Sequence, residues 1–104
     1  MFDSAVLDSI IERIVSGFSP DKIVIFGSVA NGTATADSDV DILVVMSTEL
    51  SYYRRSVPIR VAMRGIPVAM DIFVLTPEEY ERLRNDESSF ASEISKTGVV
   101  AYEA

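Results

Sequence analysis

The sequence predicts an α/β domain in which a small mixed sheet of three to four strands is flanked by helices. Three observations predict it. Three short, almost wholly apolar runs, Lys22–Phe26, Val40–Met46 and Val68–Leu75, have the composition of strands covered on both faces. Apolar residues at helical spacing precede and separate them. Finally, 104 residues suffice for one core, and no segment has the length or composition of a linker between two. Residues 1–104 are therefore expected to be a single domain.

The first helix rests on Leu7, Ile10, Ile11, Ile14 and Val15, with Asp3 or Ser4 as N-cap and Gly17 as its stop. Pro20 breaks the chain before the first strand, which ends at Gly27-Ser28. The small polar stretch from Val29 to Ser38 predicts a short helical turn and a loop. Val40–Met46 is the second strand. Leu50 to Met63 reads as a helix that Pro58 kinks or splits. After the third strand, Val68–Leu75, Thr76-Pro77-Glu78-Glu79 has a Thr N-cap, Pro at the first helical position and Glu at the third. That helix should cover Pro77 to Asn85. Ser88 is placed to cap another helix through Lys96, and Val99–Tyr102 is expected to add a terminal strand. Strand order does not follow from the pattern.

Composition removes several chemistries. The chain has 16 Asp and Glu, 9 Lys and Arg, and neither histidine nor cysteine. A Cys/His zinc site, a thiol nucleophile, a Ser/His/Asp triad and a disulfide are all excluded. Catalysis, if present, must use carboxylates, hydroxyls, amines or a hard metal ion. A net charge of −7 argues against an extended nucleic-acid surface, which needs clustered Lys and Arg. No apolar run approaches the roughly 18 residues that span a bilayer, and Asp3 and Asp8 do not suit a basic leader. A cytoplasmic protein with no membrane partner is expected.

Asp39, Asp41 and Asp71 stand out, because aspartate is depleted in strands and costly to bury without a partner. With side chains alternating at period two, Asp39 and Asp41 point to one side of the second strand. Taken singly, each is an ordinary strand-end residue. Together, with Asp71 at matching height on a neighbouring strand, they would repel, by roughly 3 kcal/mol per pair at about 5 Å and an effective dielectric near 20. A divalent cation with oxygen ligands offsets that cost, and Mg²⁺ fits best. Gly27-Ser28 follows a strand and precedes a helical turn, where backbone N–H groups and a hydroxyl can cradle phosphate.

Gly27-Ser28, ten residues, Asp39, one residue, Asp41 and then an isolated strand aspartate, Asp71, form a pattern that closely resembles the DNA polymerase beta-like nucleotidyltransferases. Within that superfamily the whole chain is similar to the minimal nucleotidyltransferases, small proteins often encoded beside a HEPN protein. The likeness runs through the first helix, Ile23 to Ser28, Ser38 to Val45, Asp71, the Thr76–Tyr80 helix start and the closing Gly98–Tyr102.

The resemblance implies an enzyme with the polymerase beta-like fold, ATP as substrate and Mg²⁺, with two ions, as cofactor. Asp39, Asp41 and Asp71 would be the metal ligands and catalytic residues, with Asp71 also taking the proton of the attacking hydroxyl. Gly27 and Ser28, with Ser38, would bind the nucleotide. Many relatives carry Arg or Lys after Gly-Ser, where this chain has Asn31-Gly32, so either nucleotide affinity would be lower or phosphate contact would fall to Arg54, Arg55, Arg60 or Arg64. Alternatively, those arginines form a solvated helix face or dock an acidic partner. Tyr52, Tyr53 and Phe90 are candidates for a partner surface.

The resemblance further implies an antitoxin of a toxin–antitoxin pair, transferring AMP to a tyrosine of a HEPN ribonuclease toxin in a hetero-oligomer. Two other readings stay open. One is transfer to a small-molecule hydroxyl with a separate subunit completing the site; the other is an idle binding module acting by occlusion.

Overall fold

Asp3 caps the first helix, its Oδ1 accepting the Ala5 N–H at 2.9 Å. The computed structural model describes residues 3–35 and 37–104. The elements are α1 (Ser4–Phe18), β1 (Lys22–Phe26), α2 (Ser28–Asn31), β2 (Val40–Val45), a 3₁₀ turn (Tyr52–Arg54), α3 (Ser56–Ala62), β3 (Met70–Leu75), α4 (Pro77–Arg84), α5 (Phe90–Thr97) and β4 (Val99–Glu103). Of the expected loop up to Ser38, Ala36 lies outside the described residues.

Several boundaries differ from expectation, each for a local reason. Gly17 does not stop α1. The helix continues to Phe18 and exits through left-handed Ser19, at φ 46°, whose N–H donates to the Val15 carbonyl. The helix expected across Leu50–Met63 divides into the 3₁₀ turn and α3. Pro58 is the third residue of α3, inside a first turn whose N–H groups have no intrahelical acceptor, so it costs no hydrogen bond and leaves α3 unkinked. The third strand begins at Met70, because the Val68 N–H is used in a turn to the Ile66 carbonyl at 2.9 Å. The second strand ends at Val45 and α4 at Arg84. Ser89, rather than Ser88, caps α5, accepting the Ser92 N–H at 3.1 Å, while the Ser88 hydroxyl is turned to Asp86.

The strands form one sheet in the order β3-β2-β1-β4. β1 is antiparallel to both β2 and β4, whereas β2 and β3 are parallel. Alternation divides the apolar side chains between two cores. Ile23, Ile25, Ile42, Val44, Ile72 and Val74 face α1 and α3, packing on Ile10, Ile14, Ile59 and Met63. Val24, Leu43, Val45 and Leu75 face α4 and α5, packing on Tyr80, Ala91 and Ile94. The mixed α/β sheet between helical layers is the architecture the sequence predicts.

Two joints fix the helices on this sheet. At α4, Thr76 and Glu79 form a complete capping box, in which Thr76 Oγ1 accepts the Glu79 N–H at 3.2 Å and Glu79 Oε1 accepts the Thr76 N–H at 2.8 Å. Glu79 also binds Arg55 through two hydrogen bonds, at 2.6 and 3.2 Å. Those contacts draw its carboxyl down to about 2, with the Arg55 guanidinium the largest cause. The Arg55 side chain is only 10% exposed. It is a structural link between the start of α3 and α4, not a free cation for phosphate.

Candidate active site

The C-terminal end of β1 and the N-terminal ends of β2 and β3 meet at one edge of the sheet, because β1 runs opposite to the other two. That topology gathers residues far apart in sequence. Phe26 is the register partner of Asp41, and Asp41 is the partner of Asp71. All three side chains lie on the sheet face that carries Leu43 and Phe73, with Phe26 packed against the core that α4 and α5 cover. The Val40 N–H donates to the Ala69 carbonyl at 2.9 Å, which ties the beginnings of the two aspartate-bearing strands together.

Asp41 and Asp71 therefore converge as expected. Asp41 is partly buried and Asp71 exposed. The Asp41 carboxyl is raised above its ordinary range, chiefly by desolvation. Repulsion from Asp71, a hydrogen bond with Asp71 and the charge of Asp39 add to it in that order. Phe26 is across from Asp41, and its ring lies 6.0 Å from that of Phe73, which in turn lies 5.7 Å from that of Phe90.

Asp39 is placed differently. It precedes β2 and is exposed. It acts on Asp41 through its charge, but among the described residues no three acidic side chains close into a preformed cation cage. The arrangement is a tight pair with an outlying third carboxylate.

Gly27 brings β1's end against that pair. Its φ of +73° is in the region that disfavours side chains, and an added Cβ would overlap Asp41 Oδ2 and come within 3.2 Å of Asp41 Cγ. Backbone replaces side chain there so that the Gly27-Ser28 turn can press on the carboxylate. Ser28 opens α2, whose first-turn N–H groups lack intrahelical acceptors. Gly32, at φ +75°, closes this short helix with N–H donation to the carbonyls of Ser28 and Val29. Ser38 is used inside the loop: its Oγ accepts the Thr35 N–H at 2.8 Å, shaping the turn that delivers Asp39.

The fit to a divalent cation follows from the donors themselves. Carboxylate oxygens are the hard ligands such ions take, and the raised Asp41 carboxyl and the Asp71 repulsion are what a bound cation would relieve. Composition and spacing drew attention to Asp39, Asp41, Asp71, Gly27 and Ser28. They did not reveal the Phe26–Phe73–Phe90 row, of which only Phe90 was singled out, as a candidate for a partner surface. Only the period-two face shared by Phe73 and Asp71 hints at it.

Comparison with known proteins bears on the assignment. No curated protein matches the chain. Among solved structures, a Sulfolobus solfataricus protein described as a candidate nucleotidyltransferase superposes with a TM-score of 0.65 at 26% identity, over 95% of this chain and 78% of the other. The nucleotidyltransferase domain family matches residues 7–101, a span that includes Gly27, Ser28, Asp39, Asp41 and Asp71. The chain belongs to the nucleotidyltransferase domain family.

Proposed function

We propose that this protein transfers AMP from ATP to a tyrosine hydroxyl of a partner HEPN ribonuclease toxin and thereby acts as its antitoxin. The observation that carries the reading is the in-register Asp41–Asp71 pair set directly against the Gly27-Ser28 turn. Carboxylates and the helix-opening Gly27-Ser28 turn are brought within one small region, which suits nucleotidyl transfer. Exposure of Asp39 and Asp71 leaves that region accessible to a hydroxyl carried on a protein surface.

In this reading Asp39 and Asp41, with Asp71, would hold Mg²⁺, which would neutralise charge on the nucleotide phosphates and the leaving group. Gly27 and Ser28 hold the β- and γ-phosphates through N–H and hydroxyl donors. Asp71 accepts the proton of the acceptor hydroxyl as its oxygen bonds to the α-phosphorus. The bond from the α-phosphorus to the bridging oxygen breaks, and pyrophosphate leaves with the electron pair. Ser38 holds the loop that positions Asp39.

The test is incubation of the purified chain with ATP, Mg²⁺ and its HEPN partner, followed by intact-mass measurement. A gain of one or more AMP units on the partner is expected, and none with the Asp39→Asn, Asp41→Asn double variant. If that variant still neutralises the partner fully, occlusion is the function and transfer is rejected.

A further inference from the structure

The segment from Leu50 to Met70 contains four of the nine cationic residues, Arg54, Arg55, Arg60 and Arg64, and none of the sixteen acids, in a chain of net charge −7. It holds the 3₁₀ turn and α3. The outer side of those elements is apolar: Tyr53 is 89% exposed, Val57 52% and Val61 50%. Val57 and Val61 lie one turn apart on α3 and so share one side of that helix, with Tyr53 preceding them on the 3₁₀ turn.

Two of the arginines are committed within the molecule. Arg55 binds Glu79 and reaches the Val74 carbonyl, and Arg60 donates to the Met70 carbonyl at 3.3 Å. Those carbonyls belong to β3, an edge strand, so the two guanidiniums obstruct the addition of another strand there. Arg54 and Arg64 are exposed at the two ends of the apolar stripe. Beside Arg64, a cleft of about 220 Å³ lined by Met63, Ile66 and Met70 opens next to the stripe.

We propose that this face docks an acidic partner protein, through a helix whose apolar ridge lies along Tyr53, Val57 and Val61 and whose flanking carboxylates meet Arg54 and Arg64. Charge complementarity selects the partner, since the segment from Leu50 to Met70 carries arginines and no acid in a chain of net charge −7. The apolar stripe favours a protein over a nucleic acid, because valines offer phosphates nothing and the remaining surface is predominantly negative. The obstructed edge of β3 favours a helix over a strand. β3 also carries Asp71, on the opposite sheet face from α3, so a protein seated here lies at the same sheet edge as the carboxylates.

Two synthetic helical peptides of about 20 residues test this, both with leucines at four-residue spacing, one flanked by Glu and the other by Lys. Fluorescence anisotropy is expected to show the Glu peptide binding at least about tenfold more tightly than the Lys peptide. Val57→Asp with Val61→Asp should weaken it by about tenfold or more at unchanged melting temperature, and Arg54→Glu with Arg64→Glu should reverse the preference. Equal binding of both peptides, or indifference to these substitutions, overturns the proposal. So does a dimer in sedimentation that Val57→Asp dissociates, which makes the occupant a second copy. Tighter binding of a single-stranded RNA than of the Glu peptide overturns it too. Peptide binding is independent of AMP transfer, so each reading can fail alone.

Discussion

Asp41 and Asp71 are direct register partners across the parallel β2–β3 pair, and the Asp71 charge adds to the burial that raises the Asp41 carboxyl. Strand pairing places like charges opposite one another where it ordinarily avoids them. The repulsion is maintained by apolar contacts elsewhere along the same strands, where Ile42 meets Ile72 and Val44 meets Val74.

Removing one of the two charges should therefore relieve strain. Asp71→Asn is expected to leave the metal-free protein as stable as the native chain, or more stable by up to about 1 kcal/mol, while nucleotidyl transfer falls by about two orders of magnitude or more. Chemical denaturation in EDTA together with a turnover assay checks both halves. Clear destabilisation without metal would return the pair to a structural role.

Gly27→Ala should damage the site by a different route. A methyl group at positive φ that also overlaps the Asp41 carboxylate is expected to cost about 1–3 kcal/mol and to weaken ATP binding by about tenfold or more. Calorimetric titration with ATP reads the affinity and thermal melting reads the stability.

Gly98→Ala provides a contrast away from the carboxylates. Here φ is −78°, so the backbone is unstrained, but the added Cβ would come within 2.7 Å of both the Ile94 carbonyl oxygen and Val24 Cγ1. The close packing of α5 on β1 predicts a loss of about 1–3 kcal/mol from overpacking alone. Denaturant melts should show it with no separate loss of ATP affinity in the folded fraction.

The Arg55–Glu79 joint makes stability depend on pH with a definite sign. Because folding lowers the Glu79 carboxyl to about 2, its contribution is present in full above its ordinary value of 4.5 and is lost as pH falls towards 2. Glu79→Gln is expected to cost about 1–2 kcal/mol at neutral pH. The gap between variant and native chain should close over the window from 4.5 to 2. Melting curves taken across that range measure it.

The elements most legible in the sequence were those with strong local chemistry. Thr76-Pro77-Glu78-Glu79 sets its own helix start because every partner lies within four residues, and the apolar runs declare buried strands. Pro58 was harder, since whether proline breaks or starts a helix depends on where the first turn falls, and tertiary packing of Ile59 on α1 decides that. Arg55 read as one of four surface arginines because its carboxylate partner is 24 positions away. The aspartate spacing pointed to the site, whereas strand order and register placed Asp71 beside Asp41 and kept Asp39 apart. Those are properties of the assembled sheet.

The parallel joining of β2 and β3 also has a kinetic consequence. Parallel strands cannot be connected by a hairpin, so the chain from Met46 to Ala69 must cross over the sheet before β3 finds its place. Antiparallel β1 and β2 need no such crossover, although α2 and its following loop separate them. By the cost of closing longer loops, the β2–β3 contact should form after the β1–β2 pair and before β4 reaches β1. Asp71 is thus held away from Asp41 until β1 and β2 have paired, and the chain meets this unfavourable electrostatic contact with part of its sheet already in place to withstand it.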